Sequence, residues 1–275
     1  MPMCNFILNN KLNEELRMLY NPDGSILRMA QLRMLEMLKF IDNICQEYDI
    51  NYWIESGTLL GAVRHGGFIP WDDDADICMP VKDYLRFKEI MLNGDFKDYV
   101  LQCHDTDPNY YGTWGVLRDL HSEMSDGHHR LGGFNFKGLQ VDIFPIDDRC
   151  NKALWKISRQ YFAYLVNAPL FEGRITKYFR WCVPLTFFLL HKAIIPFFRL
   201  LTPSDKSVLY YRYGMFWYRR YPKSVIYPLR KIDFEGETLN APKDLDKYLK
   251  ECYGNWWEIP PENKRETHKF YVEFK

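Results

Sequence analysis

The N-terminal part of the chain changes from a helical to a strand-like pattern of hydrophobic positions. From Ser25 to Tyr48, apolar residues recur every three or four positions with charged residues between them, which predicts an amphipathic helix. A Pro-Asp-Gly sequence predicts the turn before this helix, and Ser25 is a suitable N-cap. Residues 51–55 (NYWIE) are rich in aromatic and β-branched residues and predict a short strand.

A glycine turn and a cluster of acids follow that strand. Gly57-Thr58 predicts a turn, and residues 59–64 fit one or two helical turns that end at a pair of glycines. Residues 74–79 (DADICM) alternate polar and apolar side chains and stop at a proline, which predicts a strand. Because side chains two apart on a strand share a face, Asp74 and Asp76 are expected to project together.

The remaining segments give weaker patterns and predict the following elements. They are a helix at 82–93, strands at 99–103 and 111–120, a polar loop at 121–133, a hairpin of 134–136 and 139–144 that Pro145 ends, a helical aromatic region at 152–221, a hairpin at 232–239 that turns at Glu235-Gly236, and a helix at 241–253 with Pro242 in its first turn.

Asp142 is the third acid of interest, because it lies between Val141 and Ile143 in an apolar strand. A lone carboxylate there is costly without a partner, so a structural ion pair with an arginine is one explanation. The other is that this strand lies beside the strand of Asp74 and Asp76 and completes a site of three carboxylates. Adjacent carboxylates disfavour each other's ionised form, and a divalent cation reverses that penalty. Oxygen-only ligands favour Mg²⁺ or Mn²⁺ over zinc.

Two further features predict anion binding near these acids. Gly57 and Thr58 offer backbone N–H groups and a hydroxyl at the start of a short helix, which suits a phosphate. Arg64 and Arg118 are the nearest candidates for contacts to phosphate oxygens. For Arg118, an ion pair with the neighbouring Asp119 is the alternative.

Composition and charge exclude several classes of protein. The 275 residues are 47% hydrophobic and 17% aromatic, which supports one large domain or a domain with a subdomain and excludes extended disorder. The net charge is zero, from 36 basic and 36 acidic residues, so no nucleic-acid partner is expected. Seven scattered cysteines without a CxxC predict reduced thiols in a cytosolic protein. The Cys and His residues between 103 and 150 match no common zinc pattern, and we expect the histidines to face solvent.

Trp181 to Leu201 is apolar and about long enough to cross a bilayer. His191 and Lys192 lie at its centre, where a charge costs about 3 kcal/mol, and two prolines interrupt it. Three basic residues precede it. We therefore expect either peripheral contact with a membrane surface or a buried, proline-kinked helical hairpin, and not a transmembrane span.

The central motif, GTLLGAVRHGGFIPWDDDADICMP followed later by VDIFPID, resembles the LicD family, to which the fukutin-type transferases also belong. The order of strand, Gly-Thr turn, short helix, DxD strand and later strand aspartate resembles the nucleotidyltransferase fold. YGNWWEIPP (residues 253–261) is similar to the closing segment of the family. The resemblance covers roughly residues 30–260, although residues 150–225 carry no matching motif.

The resemblance implies an α+β fold, with a nucleotidyltransferase-like mixed β-sheet flanked by helices and a helical, aromatic-rich region towards the C-terminus. We expect an N-terminal helical segment (1–48), a catalytic core (49–150), a helical region that contacts membranes (151–225) and a C-terminal extension (226–275) that completes the domain.

The resemblance also implies transfer of a phospho-alcohol, phosphocholine first, from a CDP-linked donor to a sugar hydroxyl of a surface glycan, with release of CMP. Some relatives transfer polyol phosphates. By position, Asp74, Asp76 and Asp142 would hold Mg²⁺ or Mn²⁺, while Gly57 and Thr58 would touch the donor phosphate. The acceptor would be a glycan or lipid-linked glycan, and the protein would be cytoplasmic, at the inner face of the membrane.

Two other functions fit parts of the sequence. A DxD-type glycosyltransferase uses a similar acidic motif, but such chains normally begin with a long alternating βα nucleotide-binding unit that is not seen before this motif. A catalytically inactive interaction protein on the same fold is the second, and the retention of all three acids disfavours it.

Overall fold

The computed structural model describes residues 9–125, 133–167, 182–215, 217–265 and 271–275. Its strands are β1 (Trp53–Ile54), β2 (Asp76–Pro80), β3 (Tyr99–Gln102), β4 (Gly115–Asp119), β5 (Ser122–Ser125), β6 (Gln140–Asp147), β7 (Val208–Tyr211), β8 (Arg220–Pro222), β9 (Arg230–Phe234), β10 (Glu237–Ala241) and β11 (Tyr271–Phe274). Its helices are α1 (Asn10–Tyr20), α2 (Ile26–Glu47), α3 (Ser56–His65), α4 (Val81–Asn93), α5 (Lys152–Asn167), α6 (Cys182–Leu201), α7 (Lys223–Ile226) and α8 (Leu245–Tyr253), with a 3-10 turn at Glu262–Lys264.

A mixed sheet of seven strands forms the centre of the fold, in the order β1-β2-β6-β4-β3, with β7 paired to β6 and β8 paired to β7. Strands β2 and β6 run parallel, and the other pairs in this sheet are antiparallel. Helix α2 packs against β6, and α4 packs against β2, β3 and β6. Helix α3 lies between β2, β9 and α8. The predicted α+β class, a mixed sheet flanked by helices, is therefore confirmed.

Several elements follow directly from local sequence, and their prediction is confirmed. Helix α2 begins after Ser25, whose Oγ accepts the N–H of Arg28 at 3.2 Å. Strands β9 and β10 form the predicted hairpin, whose turn residues Glu235 and Gly236 have φ of 52° and 83°. Gly66 ends α3 in the left-handed conformation, with φ of 72°.

Strand β6 is longer than predicted, because Pro145 lies inside it and not at its end. Pro145 pairs with Met79 on β2, and the amide of Asp142 donates to the carbonyl of Ala75 before that strand. The N–H groups of successive residues point to opposite edges of a strand, so Pro145 lacks an N–H on the edge that faces away from β2. On that edge, the pairing of β6 with β4 has ended and its pairing with β7 has not begun, so no ladder hydrogen bond is lost. Residues 134–136 are not a strand, so the predicted hairpin around Lys137-Gly138 is wrong.

Other errors come from partners that are distant in sequence. The predicted loop at 121–133 contains β5, which pairs with β11 at the C-terminus, and residues 126–132 lie outside the described part. The predicted helical region at 152–221 includes β7 and β8, which extend the central sheet. The helix predicted from 241 begins at Leu245, because Asp244 accepts the N–H of Lys247 at 3.2 Å and acts as its N-cap.

Helix α6 has 20 residues and is long and apolar enough to cross a membrane by length and composition. It is π-helical from Phe188 to Ile194. Its Val183, Phe187 and Ile195 are buried. Its exposed large apolar side chains are Leu185, Phe188, Leu189, Ile194, Phe197, Phe198, Leu200 and Leu201. The alternative of a buried hairpin is therefore wrong for this helix, and Trp181 lies outside the described residues.

Candidate active site

Three carboxylates form a row across adjacent strands of the central sheet. Asp76 on β2 is in register with Asp142 on β6. On its other side, the amide N–H of Glu55 donates to the carbonyl of Asp76 at 2.9 Å, which continues the β1–β2 register by one residue. Because residues opposite each other on neighbouring strands project to the same face, the side chains of Glu55, Asp76 and Asp142 lie side by side.

Asp142 is oriented by side chains of its own sheet. The indole N–H of Trp114 donates to Oδ1 at 3.0 Å, and the amide of Gln140 donates to Oδ2 at 3.3 Å. Trp114 directly precedes β4, which is the neighbour of β6. The strand of Asp142 lies beside the strand of Asp76, as a site that contains both acids requires.

Asp76 lies in the middle of the row, between two other acids. Burial raises its pKa well above its ordinary value, and the charges of Asp74, Asp142, Asp72 and Glu55 raise it further. Asp74 lies two residues before β2, so the strand begins later than predicted, yet its carboxylate is still close enough to act on Asp76. The site therefore favours a proton or a cation beside Asp76.

A hard divalent cation fits this donor set. Among the described residues, no three Asp, Glu, His or Cys side chains stand in a ready-made ligating arrangement. The carboxylates that converge here nevertheless offer only oxygen donors, and their negative charges act on the buried Asp76. Mg²⁺ and Mn²⁺ prefer such oxygen ligands and commonly use one or two carboxylates together with substrate phosphates.

Gly57 and Thr58 lie in the first turn of α3 and not in a turn before it. The hydroxyl of Thr58 accepts the amide N–H of Asp76 at 2.8 Å, which fastens the start of β2 to the helix. A Cβ on Gly57 would lie 2.6 Å from Oδ2 of Asp72 and 3.8 Å from Oδ1 of Asp74. A side chain at this position would therefore displace the carboxylate of Asp72, which lies close to the helix start, whereas its contact with Asp74 would be ordinary. Contact of this turn with a donor phosphate stays a prediction.

Arg64 is buried and joins α3 to the chain after α8. Its Nη1 donates to the carbonyls of Trp256 at 3.1 Å and Glu258 at 3.0 Å. Its Nε donates to Nε2 of His65 at 3.0 Å, which leaves the His65 proton on Nδ1, 2.7 Å from Oδ1 of Asn13.

Arg118 is also buried, at 2% exposure, and is held by neighbouring acceptors. It donates to Oε1 of Gln102 at 2.8 Å and to the carbonyl of Gly138 at 3.0 Å. Asp119 pairs instead with Arg33 at 2.7 Å, so the predicted alternative of an Arg118–Asp119 ion pair is wrong. Contact of Arg64 or Arg118 with phosphate oxygens stays a prediction.

Glu55 is a site residue that the sequence analysis missed. Its Oε1 accepts the hydroxyls of Tyr211 at 2.6 Å and Tyr221 at 3.3 Å, and its Oε2 accepts that of Tyr248. Nη1 of Arg219 lies 3.7 Å away. Burial raises the pKa of Glu55, and these donors oppose that effect. The sequence does carry a signal for Glu55, because it is a lone acid at the end of an apolar strand. Asp142 is likewise a lone acid, within an apolar strand.

Comparison with known proteins decides the family. A sequence profile described as "LicD/FKTN/FKRP, nucleotidyltransferase domain" matches residues 49–170, which include the carboxylate row and α3. The chain belongs to the LicD family. Its sequence is 26% identical, over 258 residues, to the lipopolysaccharide cholinephosphotransferase LicD of Haemophilus influenzae. The aligned part covers 88% of this chain and 95% of the relative.

Two further similarities cover less of the chain. An uncharacterized protein of Rickettsia prowazekii is 45% identical over 184 residues, 65% of this chain and 66% of the relative. The ribitol 5-phosphate transferase FKRP of Mus musculus is 40% identical over 48 residues, 18% of this chain and 10% of the relative. Together with the site, these similarities establish a phosphotransferase of the LicD/FKRP family.

The buried His65 makes the stability of this LicD-family protein depend on pH. Burial and the charge of Arg64 lower its pKa from 6.5 to about 3. Between these values the unfolded chain binds a proton that the folded protein does not, so the stability present above pH 6.5 is lost as the pH falls. We expect this residue to lower the free energy of unfolding by about 1.4 kcal/mol per pH unit below 6.5.

Denaturant unfolding above pH 6.5 and one unit below it measures this loss. His65→Gln is expected to show a shallower fall than the wild type. Equal pH dependence in the wild type and His65→Gln would contradict the burial of a neutral histidine.

Proposed function

We propose that this protein transfers a phospho-alcohol group, with phosphocholine the first candidate, from a CDP-linked donor to a sugar hydroxyl of a cell-surface glycan. The observation that carries the proposal is the row of the buried Asp76 and the half-buried Asp142 beside the glycine start of α3. Similarity over most of the chain to a lipopolysaccharide cholinephosphotransferase supports phosphocholine, and the shorter similarity to a ribitol 5-phosphate transferase supports a polyol phosphate as the alternative group.

The proposed reaction is an in-line displacement at phosphorus. The acceptor oxygen forms a bond to the phosphorus that carries the alcohol, the bond from that phosphorus to the bridging oxygen breaks, and CMP leaves. We propose that Asp142, which is oriented by Trp114 and Gln140, accepts the proton of the attacking hydroxyl or holds the cation that acidifies it. Asp74, Asp76 and Asp142 would hold Mg²⁺ or Mn²⁺, which when bound supplies positive charge to the pyrophosphate oxygens.

The start of α3 would receive the donor phosphate in this proposal. Backbone N–H groups at a helix N-terminus favour an anion, and Gly57 leaves room beside Asp72. Thr58 contributes by holding the amide of Asp76, so that β2 and α3 keep a fixed separation.

Release of CMP tests the proposed reaction. The purified protein with Mg²⁺ is expected to release CMP from at least one member of a panel of CDP-choline, CDP-ribitol and CDP-glycerol when a glycan acceptor is present. Asp76→Asn and Asp142→Asn are expected to lower the rate by at least about 100-fold, because charge stabilisation of the transition state is lost.

Asp73→Asn is the matched control for these variants, because Asp73 belongs to the same acidic segment and is not one of the three acids proposed to hold the cation. It should keep the rate within about twofold. If no CDP donor yields CMP while a sugar nucleotide yields its nucleoside diphosphate, the protein is a glycosyltransferase. Loss of all transfer with intact binding of a partner would favour the inactive interaction protein.

We further propose that α6 lies on the cytoplasmic surface of the membrane, where a lipid-linked glycan acceptor is available. Its exposed face carries eight large apolar side chains, and basic residues precede it in the sequence, as anionic lipid surfaces require. Nε of Arg199 donates to Oδ2 of Asp147 at 2.6 Å, so the helix end is fastened to the end of β6. Strand β6 also carries Asp142, and this connection would bring the site to the lipid surface.

Flotation with vesicles that contain phosphatidylglycerol tests the membrane contact. The wild type is expected to float, and a triple Phe188, Phe197 and Phe198→Ser variant is expected to remain in solution, because it loses apolar area from the exposed face. Phe187 is left unchanged, since it is buried against His104 and Tyr111.

A Met18/Leu19→Ser variant is the matched control, because these side chains are exposed on α1 and are 71% and 65% accessible. It should float as the wild type does. Equal flotation of the wild type and the triple Phe variant, or flotation of neither, would contradict the proposal.

A further inference from the structure

Arg219 lies on the same face of the sheet as the carboxylate row. The amide N–H of Tyr211 donates to the carbonyl of Arg219 at 3.3 Å, so these residues face each other where β7 meets the chain before β8. Tyr211 in turn pairs with Ile146 on β6. Ile146 and Asp142 are separated by an even number of positions along β6, so their side chains project to the same face of the sheet.

The guanidinium of Arg219 is held by aromatic rings. Its central carbon lies 5.7 Å from the ring centre of Trp217 and 6.0 Å from that of Tyr253, within the range of cation–π attraction. The side chain is 16% exposed, so it is confined but reachable from solvent.

The N–H donors of this guanidinium are not used within the described part of the chain. Its nearest acidic oxygen, Oε1 of Glu55, is 3.7 Å away, which is beyond hydrogen-bond distance. The oxygens of Glu55 already accept the hydroxyls of Tyr211, Tyr221 and Tyr248. A planar fork of N–H donors therefore remains without a hydrogen-bond acceptor among the described residues.

The other two arginines that the sequence placed near the site are engaged elsewhere. Arg64 donates to two backbone carbonyls and His65, and Arg118 donates to Gln102 and the carbonyl of Gly138. Both arginines are therefore committed to acceptors within the protein.

Tyr253 connects Arg219 with the acids. Desolvation of its hydroxyl raises the pKa of Tyr253, although the residue as a whole is 42% exposed, and the negative charges of Asp76 and Asp72 raise it further. The ring of the same residue lies beside the guanidinium of Arg219. The arginine is thus one side chain away from the acids that would hold the metal.

We propose that Arg219 binds the phosphate oxygens of the donor pyrophosphate and that Trp217 and Tyr253 hold its guanidinium in place for that contact. The inference rests on the proposed function for the presence of a pyrophosphate donor. A guanidinium binds phosphate through paired N–H···O bonds, and stacking on aromatic rings fixes the plane of the fork before the donor arrives. The divalent cation and Arg219 then share the negative charge of the pyrophosphate.

Calorimetric binding of Mg²⁺-pyrophosphate and Mg²⁺-CDP to the full chain tests the role of Arg219. Arg219→Gln is expected to weaken both by about 10- to 100-fold, the loss expected for hydrogen bonds to a charged group. Arg219→Lys keeps the charge without the fork and should fall between the wild type and Arg219→Gln. Arg220→Gln is the matched control, because Arg220 is the exposed next residue, and should bind within about twofold of the wild type.

Thermal unfolding of each variant separates binding from folding. If Arg219→Gln does not fold, two variants of Tyr253 test the inference instead. Tyr253→Leu removes the ring and should weaken pyrophosphate binding, whereas Tyr253→Phe removes only the hydroxyl and should weaken it less. Wild-type affinity in Arg219→Gln, an equal loss in Arg220→Gln, or no binding to the wild type overturns the inference. Failure of the proposed function is distinguishable, because it appears as absence of CMP release from CDP-alcohols by a protein that still binds pyrophosphate through Arg219.

Discussion

The mutual repulsion of carboxylates on one buried sheet face is the constraint on which the rest of this structure depends. Pairing of β1, β2 and β6 places Glu55, Asp76 and Asp142 side by side, and burial strengthens each unfavourable interaction between them. The fold opposes this repulsion differently at the two ends of the row. Glu55 is satisfied by three phenolic hydroxyls, whereas Asp142 has an indole and an amide as donors. Asp76 lies between them, and burial together with the charges of its neighbours raises its pKa well above the ordinary value.

The hydroxyl groups that satisfy Glu55 come from outside the region that the family profile matches. The profile covers residues 49–170 and includes the acids, but Tyr211, Tyr221 and Tyr248 come from β7, β8 and α8. Arg64, from within the matched region, is bound by backbone carbonyls after α8. The C-terminal part of the chain is therefore a structural component of the site, and the matched region alone would leave Glu55 buried without hydrogen-bond donors.

Much of the catalytic half could be predicted from sequence because its signals are local. The alternation of polar and apolar residues identified Asp76, and the position of an acid between apolar residues identified Asp142. A pair of glycines identified the end of α3. Contacts distant in sequence were not predictable in this way. Strand β5 is defined by β11, and β7 lies in a segment whose aromatic composition also suits a helix. The acceptors of Arg64 and Arg118 belong to other elements, so an arginine near an acidic motif could not be told apart from a structural one.

Direct measurement of divalent cation binding tests the central claim, that Asp76 and its neighbours form a site short of positive charge. Mn²⁺ titrated into the wild type is expected to bind, because a cation relieves the repulsion between Asp76 and its neighbouring acids. Asp76→Asn is expected to lose this binding, and Asp73→Asn to keep it. Mn²⁺ binding of equal affinity in the wild type and Asp76→Asn, or no binding by the wild type, would contradict the account.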